Sequence, residues 1–168
     1  MKLAFTLFIV VLFSFLITAQ ESEELAGRRA PNFVLENLDG DYVELNQEIG
    51  EGPVLLSFWA TWCKPCIEEL AEFKKLYNEY KDNGFKLFAI STDSERTVAK
   101  VKPFVKSKSY DFPVLYDTSG DVARIYYARA VPFTVLIDDK GAIVYSHLGY
   151  MRGDEQVVNN KVKEMIEQ

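Results

Sequence analysis

Residues Val54-Leu55-Leu56-Ser57-Phe58-Trp59 form a run that is apolar at every position but Ser57, and it gives way at Trp62-Cys63-Lys64-Pro65-Cys66 to an amphipathic helical pattern. A strand apolar on both faces belongs inside a sheet that is covered on both sides. The chain must therefore supply helices for two faces of one sheet, and the turn after this strand falls at one end of it. That turn carries the only two cysteines of the 168 residues.

The spacing of the pair points to redox chemistry. With a helix beginning at about Cys63, the thiol there meets backbone N–H groups that have no intrahelical partner and the positive end of the helix dipole, both of which favour a thiolate. Cys63 is then the nucleophile. Cys66, one turn deeper on the same face, can close a small ring with it and is the resolving thiol. Lys64 adds positive charge, and Pro65 occupies the first turn, where a missing N–H costs nothing. A purely structural disulfide closing so short a loop would remove little unfolded-chain entropy, and a four-ligand zinc site would want more Cys or His than are present. Redox chemistry outranks both.

The N-terminus reads as a secretory signal: Lys2, an apolar stretch from Leu3 to Ile17, Thr18-Ala19, then a polar run from Gln20. The expected boundaries are a signal peptide over 1–19, a mobile leader over 20–29 and one domain over 30–168. An uncleaved anchor over 1–19 is the alternative, although the stretch is slightly short for a spanning helix of about 20 residues. Export places the domain in the periplasm or at the outer face of the cytoplasmic membrane, where disulfides form and a dithiol must be kept reduced actively. The formal charge goes from −6 to −7 once Lys2 is removed, which disfavours nucleic acid and anionic membrane surfaces as partners. The chain shows no internal repeat or low-complexity tract.

The element order is α/β. Phe33-Val34-Leu35 and Tyr42-Val43-Glu44-Leu45 flank Asp39-Gly40, a hairpin signal. After the buried strand, a helix runs to about Asp82 and stops at Asn83-Gly84. Phe85 to Ile90 is the next strand. Asp93 or Ser94 is placed to cap a helical stretch with Val98, Val101, Phe104 and Val105, in which Pro103 either makes a kink or opens a second piece. A short strand at Phe112 to Tyr116, a short helix at Asp121 to Tyr127, and a hairpin of Phe133 to Ile137 with Ala142 to His147 follow. Asp154 is placed to cap a last helix carrying Val157, Val158, Val162 and Ile166. Strands alternating with helices imply a central sheet with helices on both sides.

Phe58-Trp59-Ala60-Thr61-Trp62-Cys63-Lys64-Pro65-Cys66, with Val131-Pro132-Phe133-Thr134 about seventy residues later, resembles the thioredoxin superfamily. The pattern from Ala30-Pro31-Asn32-Phe33 through Asp39-Gly40 to Trp62-Cys63 resembles, more narrowly, its exported TlpA/ResA branch, related to the AhpC/TSA redoxins. The resemblance implies a thioredoxin-like fold: a central mixed sheet flanked by helices, with an N-terminal β-hairpin and a strand-helix insert over Thr92 to Tyr116. It also implies a cis bond before Pro132, placed next to the cysteines, with the Val131 backbone available to a bound substrate chain.

Two departures from thioredoxins matter. Their buried aspartate in the strand before the motif is matched by Ser57, which cannot accept a proton from Cys66. At about 100° per residue from Cys63 the apolar stripe holds Cys66, Leu70, Phe73 and Tyr77, with Glu68, Glu72 and Glu79 opposite and Glu69 at its edge. Glu69 also matches a glutamate that ResA-like proteins carry after the second cysteine. It is therefore the expected proton acceptor, its pKa raised by partial burial. The second departure is Lys64-Pro65 where many thioredoxins have Gly-Pro. Within a span of about 150 mV between thioredoxin and a strong oxidant, Lys64 pushes towards the oxidant and Pro65 towards the reductant, so an intermediate, still reducing potential is expected.

The remaining residues have plainer readings. Trp62 flanks the site, shields Cys63 and is assigned to substrate binding, Trp59 is core, and Phe133 is a buried strand residue or a groove wall. His147, the single histidine, carries the rival reading of a thioredoxin-fold copper chaperone with Cys63, Cys66 and His147 as ligands. Such proteins space their cysteines one residue further apart. Peroxide-reducing relatives place Pro and Thr or Ser where this chain has Leu56 and Ala60, and an inert binding module would not need both cysteines and Val131-Pro132. The expected activity is thiol-disulfide exchange with disulfide-containing client proteins. The resemblance implies a membrane thiol reductant of the DsbD or CcdA type and apocytochrome c as a frequent client. No cofactor or metal is required, because the Cys63/Cys66 dithiol carries both electrons.

Overall fold

The computed structural model describes residues 25–167. The expectation for residues 1–19, as signal or anchor, and for 20–24 lies outside them. Among the described residues no helix is long and apolar enough to cross a membrane.

Seven strands form one mixed sheet. In chain order they are β1 (Val34–Asn37), β2 (Tyr42–Glu44), β3 (Val54–Trp59), β4 (Lys86–Ser91), β5 (Val114–Tyr116), β6 (Phe133–Ile137) and β7 (Ile143–Leu148). The helices are α1 (Leu45–Glu48), α2 (Lys64–Tyr80), α3 (Val101–Lys108), α4 (Asp121–Ile125) and α5 (Glu155–Ile166). The spatial order is β2-β1-β5-β4-β3-β6-β7. β3 pairs parallel with β4 and antiparallel with β6, and every residue of β3 is buried. β5, from the insert, pairs parallel with β4 and antiparallel with β1, and so joins the N-terminal hairpin to the main sheet.

The two-residue period of the strands divides the core in two. Leu55 and Trp59 of β3, Leu87 and Ala89 of β4 and Leu136 of β6 pack with Cys66, Leu70, Phe73 and Leu76 of α2 and with Val158 and Val162 of α5. Val54, Leu56 and Phe58, with Phe88, Ile90 and Val135, pack against Leu25, Phe33, Leu45, Val122 and Tyr126 on the other face. α2 ends in a short 3-10 turn over Lys81–Asn83, stopped at Gly84 with φ 87°. A side chain on Gly84 would run into the carbonyl of Glu51, so that position needs glycine twice over.

Several expectations require correction. Residues 25–29 are not a mobile leader. Leu25 is 2% exposed, Arg29 bridges Ala142, and backbone bonds join Gly27 and Arg28 to Ile143 and Ala30 to Gly141. The apolar Leu25, set among charged neighbours, is the residue that anchors this strap. Neither Asp93 nor Ser94 caps a helix with its side chain. The chain passes instead through a 3-10 turn over Val98–Lys100, and Pro103 sits in the first turn of α3, so it opens a second piece. Phe112 is buried ahead of β5, stacked on Tyr110 at 4.9 Å, and is not part of the strand. Asp154 precedes α5 but makes no side-chain cap. Its carboxylate accepts from the backbone N–H of Met151, which ties down the loop before the helix.

If the strap is part of the folded domain, Leu25→Ala lowers stability by about 2 kcal/mol through the cavity it leaves. Urea unfolding followed by tryptophan fluorescence measures this, and an unchanged midpoint would mean that the strap contributes nothing to the fold.

Candidate active site

Pairing alone brings four segments to one end of the sheet. Trp59 ends β3 beside Ser91 at the end of β4, Phe133 begins β6 opposite Phe58, and Leu148 ends β7 opposite Phe133. The loop after β3 carries the cysteines, the loop before β6 carries Val131-Pro132, and the loop after β7 leads to α5. The Val131–Pro132 peptide bond is cis, and the N–H of Gly149 donates to the Pro132 carbonyl at 2.8 Å.

Cys63 is the N-cap of α2, with extended backbone, and its sulfur accepts from the N–H of Cys66 at 3.3 Å. Pro65 lies in the first turn, as its lack of an N–H allows, and Lys64 is exposed beside it. The two cysteines form a disulfide with Cα atoms 5.3 Å apart. Cys66 is fully buried, while Cys63 keeps 5% of its surface, so a partner sulfur approaches Cys63 first. The helix N-terminus stabilises negative charge on that sulfur when the bond opens. Trp62, in the loop just before Cys63, is 66% exposed. Trp59 is fully buried against Phe104, and Phe133 is a buried strand residue. Pro132 is buried and Val131 half-buried.

The loop shape depends on Asp93, which the sequence reading assigned to a cap. Its carboxylate is fully buried and accepts from the Thr61 N–H at 2.8 Å, the Thr61 hydroxyl at 2.7 Å and the Ser91 hydroxyl at 3.0 Å. Thr92 adds a backbone bond to the Trp59 carbonyl. The turn from β3 into α2 is thus clamped to the end of β4 a few residues before the nucleophile. A lone aspartate just after a buried strand was the only sequence sign of this role.

Glu69 lies one turn beyond Cys66, and its burial is deeper than the edge of the apolar stripe suggested, at 3% exposed. It lies over the sheet, where β3 and β6 place polar residues side by side. Ser57 and Thr134 are register partners, and their hydroxyls donate to Glu69 Oε2 at 3.2 Å and Oε1 at 2.9 Å. Glu68 and Glu79 are exposed and Glu72 is half-buried in an ion pair with Lys75, so of these carboxylates only Glu69 is enclosed. Burial raises its pKa from the ordinary 4.5 to about 7, against the two hydroxyls, which lower it, and with a further rise from the charge of Asp154. A carboxyl that titrates near neutrality one turn from a buried thiol is suited to take up and return its proton. Thr134 was missed as its partner, although strand alternation from Phe133 turns it towards α2.

His147, half-exposed on β7, faces Asp154 at 3.5 Å from Nε2. Among the described residues no cluster of three or more His, Cys, Asp or Glu side chains is arranged to hold a metal ion.

A family model described as the AhpC/TSA family matches residues 26–146. The thiol-disulfide oxidoreductase ResA of Bacillus thuringiensis subsp. konkukian (strain 97-27) is 35% identical over 151 residues, which are 90% of this chain and 79% of the relative. ResA of Halalkalibacterium halodurans is 39% identical over 140 residues, 83% of this chain and 77% of the relative. Among solved structures, the thioredoxin domain of a thiol-disulfide oxidoreductase from Bacteroides vulgatus superposes with a TM-score of 0.69 at 28% identity, covering 82% of this chain and 97% of that one. A thiol:disulfide interchange protein from Bacteroides sp. gives 0.71 at 28% identity, covering 85% and 91%. The fold is thioredoxin-like.

The buried carboxyl makes stability depend on pH. Glu69 holds its proton up to about 7 in the fold and only to about 4.5 when free, so its contribution is complete below the lower value and is lost as pH rises through the upper one. Relative to Glu69→Gln, the disulfide form is expected to lose about 3 kcal/mol between about pH 4.5 and pH 8. Denaturant unfolding of both proteins across that range measures it, and parallel stability curves would mean that Glu69 titrates as an ordinary surface carboxylate.

Proposed function

The chain belongs to the AhpC/TSA family, and from that premise we propose that it is a thiol-disulfide oxidoreductase acting outside the cytoplasm as a reductase of protein disulfides. The observation that carries this reading is the Cys63–Cys66 disulfide at the N-terminus of α2, with the enclosed carboxyl of Glu69 one turn behind it.

In the reduced protein the Cys63 thiolate attacks one sulfur of a client disulfide, the client S–S bond breaks, and the departing client thiolate takes a proton from solvent. A mixed disulfide links Cys63 to the client. Cys66 then gives its proton to the Glu69 carboxylate and attacks Cys63 Sγ. The second client sulfur leaves as a thiolate, the Cys63–Cys66 bond re-forms, and two electrons have passed to the client. Glu69 afterwards returns its proton to water. Trp62 and the Val131-Pro132 backbone are the surfaces on which the client chain lies beside Cys63. Lys64 and Pro65 set the potential from opposite sides, the charge favouring the thiolate and the ring holding the first turn.

The same reading assigns the remaining roles. Residues 1–19 export the domain and, if retained, anchor it at the outer face of the membrane. A membrane thiol reductant of the DsbD or CcdA type returns electrons to the Cys63–Cys66 bond, and the Cys-x-x-Cys-His site of apocytochrome c is a fitting client. The dithiol needs no further cofactor.

Equilibration with glutathione or dithiothreitol buffers tests the direction of the reaction. A potential near the thioredoxin end, about −270 mV, is expected for a reductase, and one near about −120 mV would make this a disulfide-forming oxidant instead. The Cys66→Ser variant is expected to accumulate mixed disulfides through Cys63, while Cys63→Ser forms none. Equal trapping by both variants would overturn the assignment of nucleophile and resolving thiol.

A further inference from the structure

The start of α2 is supported differently in the two redox states. In the disulfide form the bond to Cys66 holds Cys63 in place covalently. When that bond opens, the Cys63 sulfur caps the helix by itself, through the bond it accepts from the Cys66 N–H at 3.3 Å. A side chain caps in this way only while the backbone beneath it stays extended, here at φ −89° and ψ 100°. Something other than the disulfide must then hold that backbone.

The chain just before Cys63 supplies it. The Cys63 N–H donates to the Ala60 carbonyl at 3.0 Å, which closes a four-residue turn over Ala60-Thr61-Trp62-Cys63. The N–H of Thr61, inside the turn, finds its partner across the end of the sheet. It donates to Asp93 Oδ2 at 2.8 Å, and the Thr61 hydroxyl donates to Asp93 Oδ1 at 2.7 Å. Asp93 is fully buried and is seated in turn on the last residue of β4: the Ser91 hydroxyl donates to Oδ2 at 3.0 Å and accepts from the Asp93 N–H at 3.2 Å. Ser91 is the register partner of Trp59, so this seat is built where β3 ends. The neighbouring tie, from the N–H and hydroxyl of Thr92 to the Trp59 carbonyl at 2.8 and 3.2 Å, reaches the strand and not the turn.

We propose that Asp93 is a positioning residue for the nucleophile: through Thr61 it holds the turn that keeps Cys63 in its capping conformation once the disulfide has opened. This rests on the reading of Cys63 as the nucleophile. The consequence is one-sided. In the oxidised protein the ring closed by Cys63 and Cys66 carries the same restraint, so the clamp is partly redundant. In the reduced protein the clamp is the restraint that remains, and the thiolate depends on the helix end that it faces. Loss of the clamp therefore weakens the reduced form more than the oxidised one and moves the pair towards the disulfide. A buried carboxyl oxygen that loses its donor is left unsatisfied, so removing either partner breaks the clamp.

The test compares Asp93→Asn, Thr61→Val and Thr61→Ser with the wild type, all as full-length protein. Asparagine turns an amide NH2 towards one of the two Thr61 donors, valine removes the hydroxyl and keeps every charge, and serine keeps both bonds. In glutathione buffers Asp93→Asn is expected to shift the equilibrium about tenfold towards the disulfide, which is about 30 mV, and Thr61→Val about threefold in the same direction, with Thr61→Ser at the wild-type value. Alkylation of the reduced protein by iodoacetamide, followed with pH, should show the Cys63 midpoint rising by about one unit and about half a unit in the same order. Urea unfolding should show the reduced form of Asp93→Asn and of Thr61→Val losing more stability than its oxidised form. If Asp93→Asn does not fold, Thr61→Val and Thr61→Ser decide alone. Equal losses in both forms, with potential and midpoint unmoved, would make the clamp structural only and overturn the positioning role. A rise in potential for Asp93→Asn with Thr61→Val unmoved would also overturn it, because Asp93 would then act through its charge and not through Thr61. Peptide mapping of the first alkylated cysteine separates this from the underlying reading: if Cys66 reacts before Cys63 in the wild type, the assignment of the nucleophile itself fails.

Discussion

Strand β3 is hydrogen-bonded along both edges and covered on both faces, and the geometry of the site follows from that confinement. With neighbours β4 and β6 fixed in register, its alternate residues have no choice of direction: Leu55, Ser57 and Trp59 point towards α2, and Val54, Leu56 and Phe58 point away. A polar residue on the α2 side of such a strand needs a partner inside the core, since water does not reach it. Ser57 finds Glu69, and Thr134, its register partner on β6, finds the other oxygen of the same carboxyl. The sheet thus provides a two-hydroxyl seat for one acid, and α2, which begins at the nucleophile, lowers the acid into it one turn past the second cysteine.

Much of this was legible in the chain. The apolar run, interrupted only by Ser57, identified β3 and the two-sided sheet, because only a strand buried on both faces tolerates such a sequence. The position of Cys63 at a helix start followed from the change in period after Thr61, and Asn83-Gly84 marked the end of α2 through the backbone conformation that glycine permits. The family resemblance supplied the cis bond before Pro132, which no local pattern encodes.

What was missed is equally physical. Asp93 and Thr134 each have a local role that sequence pattern suggests, as a cap or as an ordinary strand residue, and each is recruited by a partner far away in the chain. Asp93 reaches back to Thr61 across the sheet end, and Thr134 reaches Glu69 across two elements. Such pairings depend on strand order, which periodicity does not reveal. The depth of Glu69 was underestimated for the same reason. A helical wheel places it at the edge of a stripe, but α5 and β7 close over that edge, and nothing in the α2 sequence announces them.

The strap at the start of the described chain bears on the order in which the domain can be assembled. Its backbone partners are Gly141 and Ile143, which lie near the other end of the chain, and β3 likewise awaits β6 for one of its two edges. Contacts this distant in sequence form late and slowly. While the chain is emerging from its N-terminus, neither the strap nor β3 has its full set of neighbours, and the segment that bears both cysteines follows directly on β3. The dithiol is therefore open to solvent before the fold that tunes it exists, and its first oxidation or reduction is governed by the unfolded chain rather than by Glu69 or the helix end.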